Sequence, residues 1–158
     1  MQILFNMNSN FNITVLVITI LLAVVSSCTK SHYDKVNSYL DELSTEVVSS
    51  TTEEEFNVSY RNVIELKEND LVVNLSDLSH KQKQEILCKV ETLTMKTLAV
   101  KAVLYVLPKD IKPTVKDMEY LTNEILKREL DLISFPYSDV GTLVNKYYSA
   151  KNRKQIAK

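Results

Sequence analysis

The chain has a single glycine, Gly141, among its 158 residues. Tight hairpin turns need backbone torsions that glycine adopts freely and other residues adopt at a cost, so a sheet built from short hairpins has almost nothing to turn with. Three prolines, at 108, 113 and 136, add few further turn devices. That scarcity directs the reading toward helices. An apolar fraction of 45% is enough for one domain of this length to bury a packed core.

Helical spacing is what the residues then display. Tyr33, Val36, Leu40, Leu43 and Val47 recur three and four apart, which places them on one helix face. After the polar run 49–52, Thr52 and Glu55 have the spacing of a capping box, and Phe56, Tyr60, Val63 and Ile64 form a second stripe until Asn69-Asp70. The aliphatic stretch 70–79 reads as a connection, since no second convincing strand exists to pair with it. Ser79 and Gln82 open the strongest helix, whose stripe of Ile86, Val90, Leu93, Thr97, Val100, Leu104 and Leu107 continues to Pro108. Pro113, Thr114 and Asp117 start another, with Met118, Leu121, Ile125, Leu126, Leu132 and Ile133 as its core face until Phe135-Pro136 breaks it. Ser138 is expected to cap a short last helix holding Val140, Leu143, Val144, Tyr147 and Tyr148.

Charge nearly cancels overall, 19 basic against 20 acidic side chains, so net charge names no partner and no nucleic acid is expected. Its distribution is uneven. Residues 34–70 carry ten acidic and three basic groups, and 81–158 carry nine acidic and fifteen basic. Two segments of opposite sign attract when packed side by side.

The first 27 residues contain no charged side chain, and Ile13 to Val25 is a weakly polar to apolar run. As a helix, thirteen residues span roughly 20 Å, short of the roughly 30 Å of hydrocarbon in a bilayer, which fits a secretory signal segment better than a spanning helix. The run ends in Val25-Ser26-Ser27-Cys28, which resembles the lipobox of bacterial lipoproteins. That resemblance implies cleavage between Ser27 and Cys28, a diacylglycerol on the Cys28 thiol and acylation of the new amino terminus. Several acyl chains anchor stably where one does not. Thr29 in place of aspartate then implies sorting to the outer membrane in a cell with two membranes. The segment 1–12 has no lysine or arginine, and a plain secretory signal cut near Ser26 to Thr29 is the alternative. With Cys28 acylated or removed, Cys88 has no intramolecular partner, and its neighbours Ile86, Leu87 and Val90 predict a buried thiol on an apolar helix face.

No motif points to catalysis. His32 and His80 are too far apart for a ligand pair and read as solvated, and a lone glycine leaves no phosphate-cradling loop. No catalytic residue, metal or cofactor is expected. Tyr147, Tyr148, Lys151, Arg153 and Lys154 are the candidates for a surface that binds anionic polymers or membranes, because aromatic rings alternate there with positive charge. The competing reading packs one tyrosine on the core, leaves its neighbour at the rim and ends in a solvated tail.

These observations predict an all-α fold, a small antiparallel bundle of four to five helices. Its parts are a signal peptide at 1–27, a lipid-attached tether at 28–32, the bundle at 33–149 and a basic tail at 150–158. The expected function is that of a membrane-anchored envelope lipoprotein that binds an unidentified protein or envelope partner. The alternatives are a soluble secreted helical protein without lipid and an envelope enzyme with no recognisable motif.

Overall fold

The computed structural model describes residues 31–156, with side chains as far as Arg153. The expected signal segment, Ser27 and Cys28 lie outside the described residues. Among the described residues there are six α-helices and one 3-10 turn: α1 (His32–Ser49), α2 (Glu53–Glu65), the 3-10 turn (Leu66–Glu68), α3 (Asp70–Val73), α4 (His80–Val106), α5 (Val115–Lys127) and α6 (Ser138–Ile156). The domain is all-α, and among the described residues no helix is long and apolar enough to cross a membrane.

Helix α4, 27 residues and roughly 40 Å long, is the spine and touches α1, α2, α5 and α6. Its start is a full capping box, in which the Ser79 hydroxyl accepts from the Gln82 N–H and the Gln82 side chain accepts from the Ser79 N–H. Pro108 sets its end by forcing Leu107 into an extended conformation. Ile86, Leu93, Thr97, Val100 and Val103 are buried along it. Helix α1 lies beside α4 and runs parallel to it, as three contacts rising together in both helices require: Tyr33 with Glu85, Asp41 with Lys89 and Ser44 with Lys96. The Lys89–Asp41 pair is where the acidic and basic segments of the sequence meet, and its exposure makes it worth well under about 1 kcal/mol.

Parallel packing needs a return path, and α2 with the segment after it provides one. Thr52 caps α2, but the Glu55 carboxylate bonds the Thr51 N–H and hydroxyl instead of closing the expected box onto Thr52. Asn69 ends the 3-10 turn and caps α3 by accepting from the Leu71 N–H. The aliphatic stretch at 70–79 is therefore one helical turn and a loop, with Leu78 buried and Leu71, Val72 and Leu75 half-buried.

Several expectations change. Helix α5 ends at Lys127, well before Phe135-Pro136, because Glu129 takes a left-handed conformation (φ 50°) while Leu130 N–H bonds Ile125 O and Glu129 N–H bonds Leu126 O. This is the helix stop that glycine usually supplies. Asp131 then accepts from the N–H groups of Ile133 and Ser134, curling the chain so that Leu132 is buried and Ile133 is 91% exposed. Cys88 is exposed: it lies two residues, or about 200°, round α4 from buried Ile86. The tether ends sooner, since Ser31 caps α1 and His32 belongs to it with a hydrogen-bonded ring. Ser138 is inside α6, not its cap, because the Tyr137 carbonyl accepts from Gly141. Positions 150–156, expected as a frayed tail, continue that helix.

Gly141 sits inside α6, where a β-carbon would meet Val106 side-chain atoms at 3.8 and 3.9 Å, an ordinary contact. Gly141→Ala is expected to raise the unfolding free energy by about 0.5–1 kcal/mol in urea titration, since alanine loses less backbone entropy in a helix. Leu93→Ala is expected to lower it by about 2–5 kcal/mol by opening a cavity in the spine.

Candidate functional site

The aromatic and basic residues at the C-terminus converge, though on a partner inside the protein. Asp117 is in the first turn of α5, where its carboxylate closes a capping box with Thr114 by accepting the Thr114 N–H at 2.9 Å. One helical turn apart on α6, Tyr147 and Lys151 reach the same carboxylate. The Tyr147 hydroxyl donates to Oδ1 at 2.5 Å, and the Lys151 ammonium donates to both oxygens at 2.6 and 2.7 Å. The Asp117 side chain is only 3% exposed. Burial by itself pushes its pKa up, but donors from Lys151, Tyr147 and Thr114 outweigh that and hold it well below the usual carboxylate range. Burial, and then the bond to Asp117, push the Tyr147 phenol up to about 12.

The rings complete a staple between α5 and α6. Tyr147 stacks on Tyr120 at 4.9 Å and meets Tyr148 edge-on at 5.0 Å, while Lys151 lies over both Tyr147 and Tyr148. Tyr148 is packed on the core and Tyr147 is at the rim. Arg153 points outward and donates to the Ser149 carbonyl of its own helix; the Lys154 side chain lies outside the described residues. Of the five residues expected to form a binding surface, Tyr147 and Lys151 are thus engaged in holding α6 to α5, and Tyr148 is buried.

A different place has the character of a binding site. Where α2 begins, α4 ends and the 128–137 loop passes, a cleft of about 390 Å³ opens to solvent. Phe56 and Leu104 contribute buried and half-buried walls, and Tyr105, Phe135 and Tyr137 form an aromatic rim with centroids 5.0 to 5.8 Å apart. Phe135 is 67% and Tyr105 54% exposed. Polar groups are few: Glu53, Asn57 and Lys101, the last with its ammonium 5.9 Å from the centre of the Tyr60 ring, which stacks on Phe56. An apolar cleft with a small number of polar groups suits side chains or rings that need to leave water.

The sequence held a signal for this cleft. Phe135 is a large apolar residue beside a helix-breaking proline and fits no helical stripe. Tyr137, left-handed at φ 61°, then turns the chain into α6 with its ring edge-on to Tyr105 and Phe135. Among the described residues no group of three or more His, Cys, Asp or Glu side chains could hold a metal ion. Comparisons with protein-family models, curated proteins and solved structures find no match for this chain.

The staple has a pH signature. Because the folded-state pKa of Asp117 is depressed, its contribution to stability is complete above the ordinary value of 3.8 and is lost as pH falls below it. Asp117→Asn is expected to flatten the fall in stability between about pH 4 and about pH 2 in urea titrations. Lys151→Met is expected to cost about 2–3 kcal/mol at neutral pH, less than for a fully enclosed pair because Lys151 is 35% exposed.

Proposed function

We propose that the chain is a lipid-anchored envelope protein whose helical domain works by binding a protein partner. The observation that carries this reading is the placement of Val25-Ser26-Ser27-Cys28 immediately before the domain. Only Thr29 and Lys30 separate Cys28 from Ser31, which caps α1 reciprocally with Asp34. A cut before Cys28 therefore removes the apolar run and leaves every residue of the capped helix, and lipid on Cys28 places the start of α1 at the bilayer. An outer-membrane location follows from Thr29 where two membranes are present.

The position of the cleft supports binding at a distance from that surface. It lies at the α4 end, beside the start of α2, and α1 must run its 18 residues, about 27 Å, before α2 begins. An anchor at one end and an exposed aromatic rim toward the other present the rim to partners away from the bilayer. Exposed Phe135, Tyr105 and Ile133 are the kind of residues that anchor protein interfaces when a partner covers them.

Fractionation of expressing bacterial cells tests the anchor: native protein is expected in membranes, and Cys28→Ser in the soluble fraction. Retention of Cys28→Ser in membranes contradicts it. In crosslinking of the anchored protein in its own cells, Tyr105→Ala with Phe135→Ala is expected to remove the partner band while leaving the unfolding transition in place, because both rings are more exposed than buried.

A further inference from the structure

His32, in the first turn of α1, has an acceptor on each ring nitrogen. Nδ1 is 2.8 Å from Asp77 Oδ1, and Nε2 is 2.9 Å from the Leu71 carbonyl oxygen. A carbonyl and an ionised carboxylate only accept, whereas a neutral imidazole has one N–H to give. Both contacts are hydrogen bonds at once only when the ring carries two protons. The location makes this unusual, since the start of a helix disfavours positive charge. We infer that His32 is a proton-operated latch, whose imidazolium ties the first turn of α1 to the segment Asp70–Ser79 and releases it when the ring loses a proton.

A neutral ring keeps one bond and turns a lone pair toward the other acceptor at less than 3 Å, so one contact becomes repulsive whichever nitrogen keeps its proton. Beyond the ring, the segment is held by buried Leu78 and by Leu71, Val72 and Leu75, which are only half-buried. Helix α3 is a single turn, capped locally by Asn69, and Leu78 is the one side chain of 70–79 that is buried. Short elements with few buried contacts open at the lowest free energy. Opening uncovers the packed faces of Leu71, Val72 and Leu75, so deprotonation enlarges the apolar surface beside the start of α1.

The charges around the ring set the direction. The Leu71 carbonyl and Asp77 favour the protonated form, and Lys35 on α1 opposes it. Lys83 on α4 acts on Asp77, whose carboxyl is held low chiefly by the bond to His32. Asp34 of α1 is turned to its cap residue Ser31, and Glu85 of α4 accepts from the Tyr33 hydroxyl. Asp70 is the remaining charge of α3. With the folded-state pKa of His32 raised, the latch is fully closed below the ordinary value of 6.5 and is lost as pH rises through the folded-state value. The inference does not depend on the lipid anchor.

Nitrogen NMR of the full chain in detergent reads the ring directly. Both His32 nitrogens are expected to carry protons at about pH 6, with a deprotonation midpoint above 6.5. Hydrogen-exchange protection of Asp70–Ser79, corrected for intrinsic rates, is expected to fall severalfold from about pH 6 to about pH 9 while that of Leu93–Val103 holds. His32→Gln is expected to abolish that pH dependence. Asp77→Asn, which leaves the ring in place, is expected to lower the His32 midpoint and serves where His32→Gln fails to fold. A ring with one proton at about pH 6, a midpoint unchanged in Asp77→Asn, or the native exchange profile in His32→Gln overturns the inference.

Discussion

Between Leu93 and Val103, α4 is closed off from water on most of its circumference, and the other helices are arranged to keep it so. Leu93, Thr97, Ala99, Val100, Ala102 and Val103 are all buried there, and Thr94, Met95 and Lys101 keep a narrower strip exposed. A helix buried this widely needs neighbours on several sides, which α1, α2, α5 and α6 supply. Small residues at 99 and 102 let neighbouring helices approach, and leucine and valine at 93, 100 and 103 fill the space between them. The parallel pairing of α1 with α4 then dictates the return through α2 and α3, and the short 107–114 connection dictates that α5 runs back along the spine.

The starts of α2, α4 and α5 are readable in the sequence because caps are local chemistry. Ser79 with Gln82 and Thr114 with Asp117 form the reciprocal bonds that their spacing predicts, and Pro108 stops α4 where its ring requires. What was hidden depends on partners distant in sequence or on torsions that no residue type announces. Glu129 and Tyr137 occupy left-handed positions that a chain with one glycine must fill with ordinary residues, so no residue type in the sequence marks the end of α5 or the turn into α6. Apolar neighbours in sequence predict burial for Cys88, whereas the helix turn decides, and its direction is outward. Asp117 was recognised as a capping residue; that Lys151 and Tyr147 meet on it depends on how α6 folds back against α5.

That last convergence gives the C-terminus a structural part. A lysine bonded to both oxygens of a buried carboxylate, with two tyrosines against it, is a fastening for α6. The exposed aromatic rim at Tyr105 and Phe135 has the opposite character, with large apolar rings left in water and only a few polar groups nearby. Fastened and available surfaces thus separate along the molecule. Buried side chains gather along α4 and at the Asp117 staple, the aromatic rim is exposed, and in the proposed function that rim meets a partner while the start of α1 lies next to the residue that joins the chain to lipid.

The measurement that tests this account most directly is the mass of the N-terminal peptide of the mature protein, purified from the membranes of a bacterial host. The account predicts a peptide that begins at Cys28 and carries diacylglycerol on its thiol, heavier than the bare peptide by several hundred daltons or more for the acyl chains of a stable anchor. A mature N-terminus at another residue, or an unmodified Cys28 thiol, contradicts it.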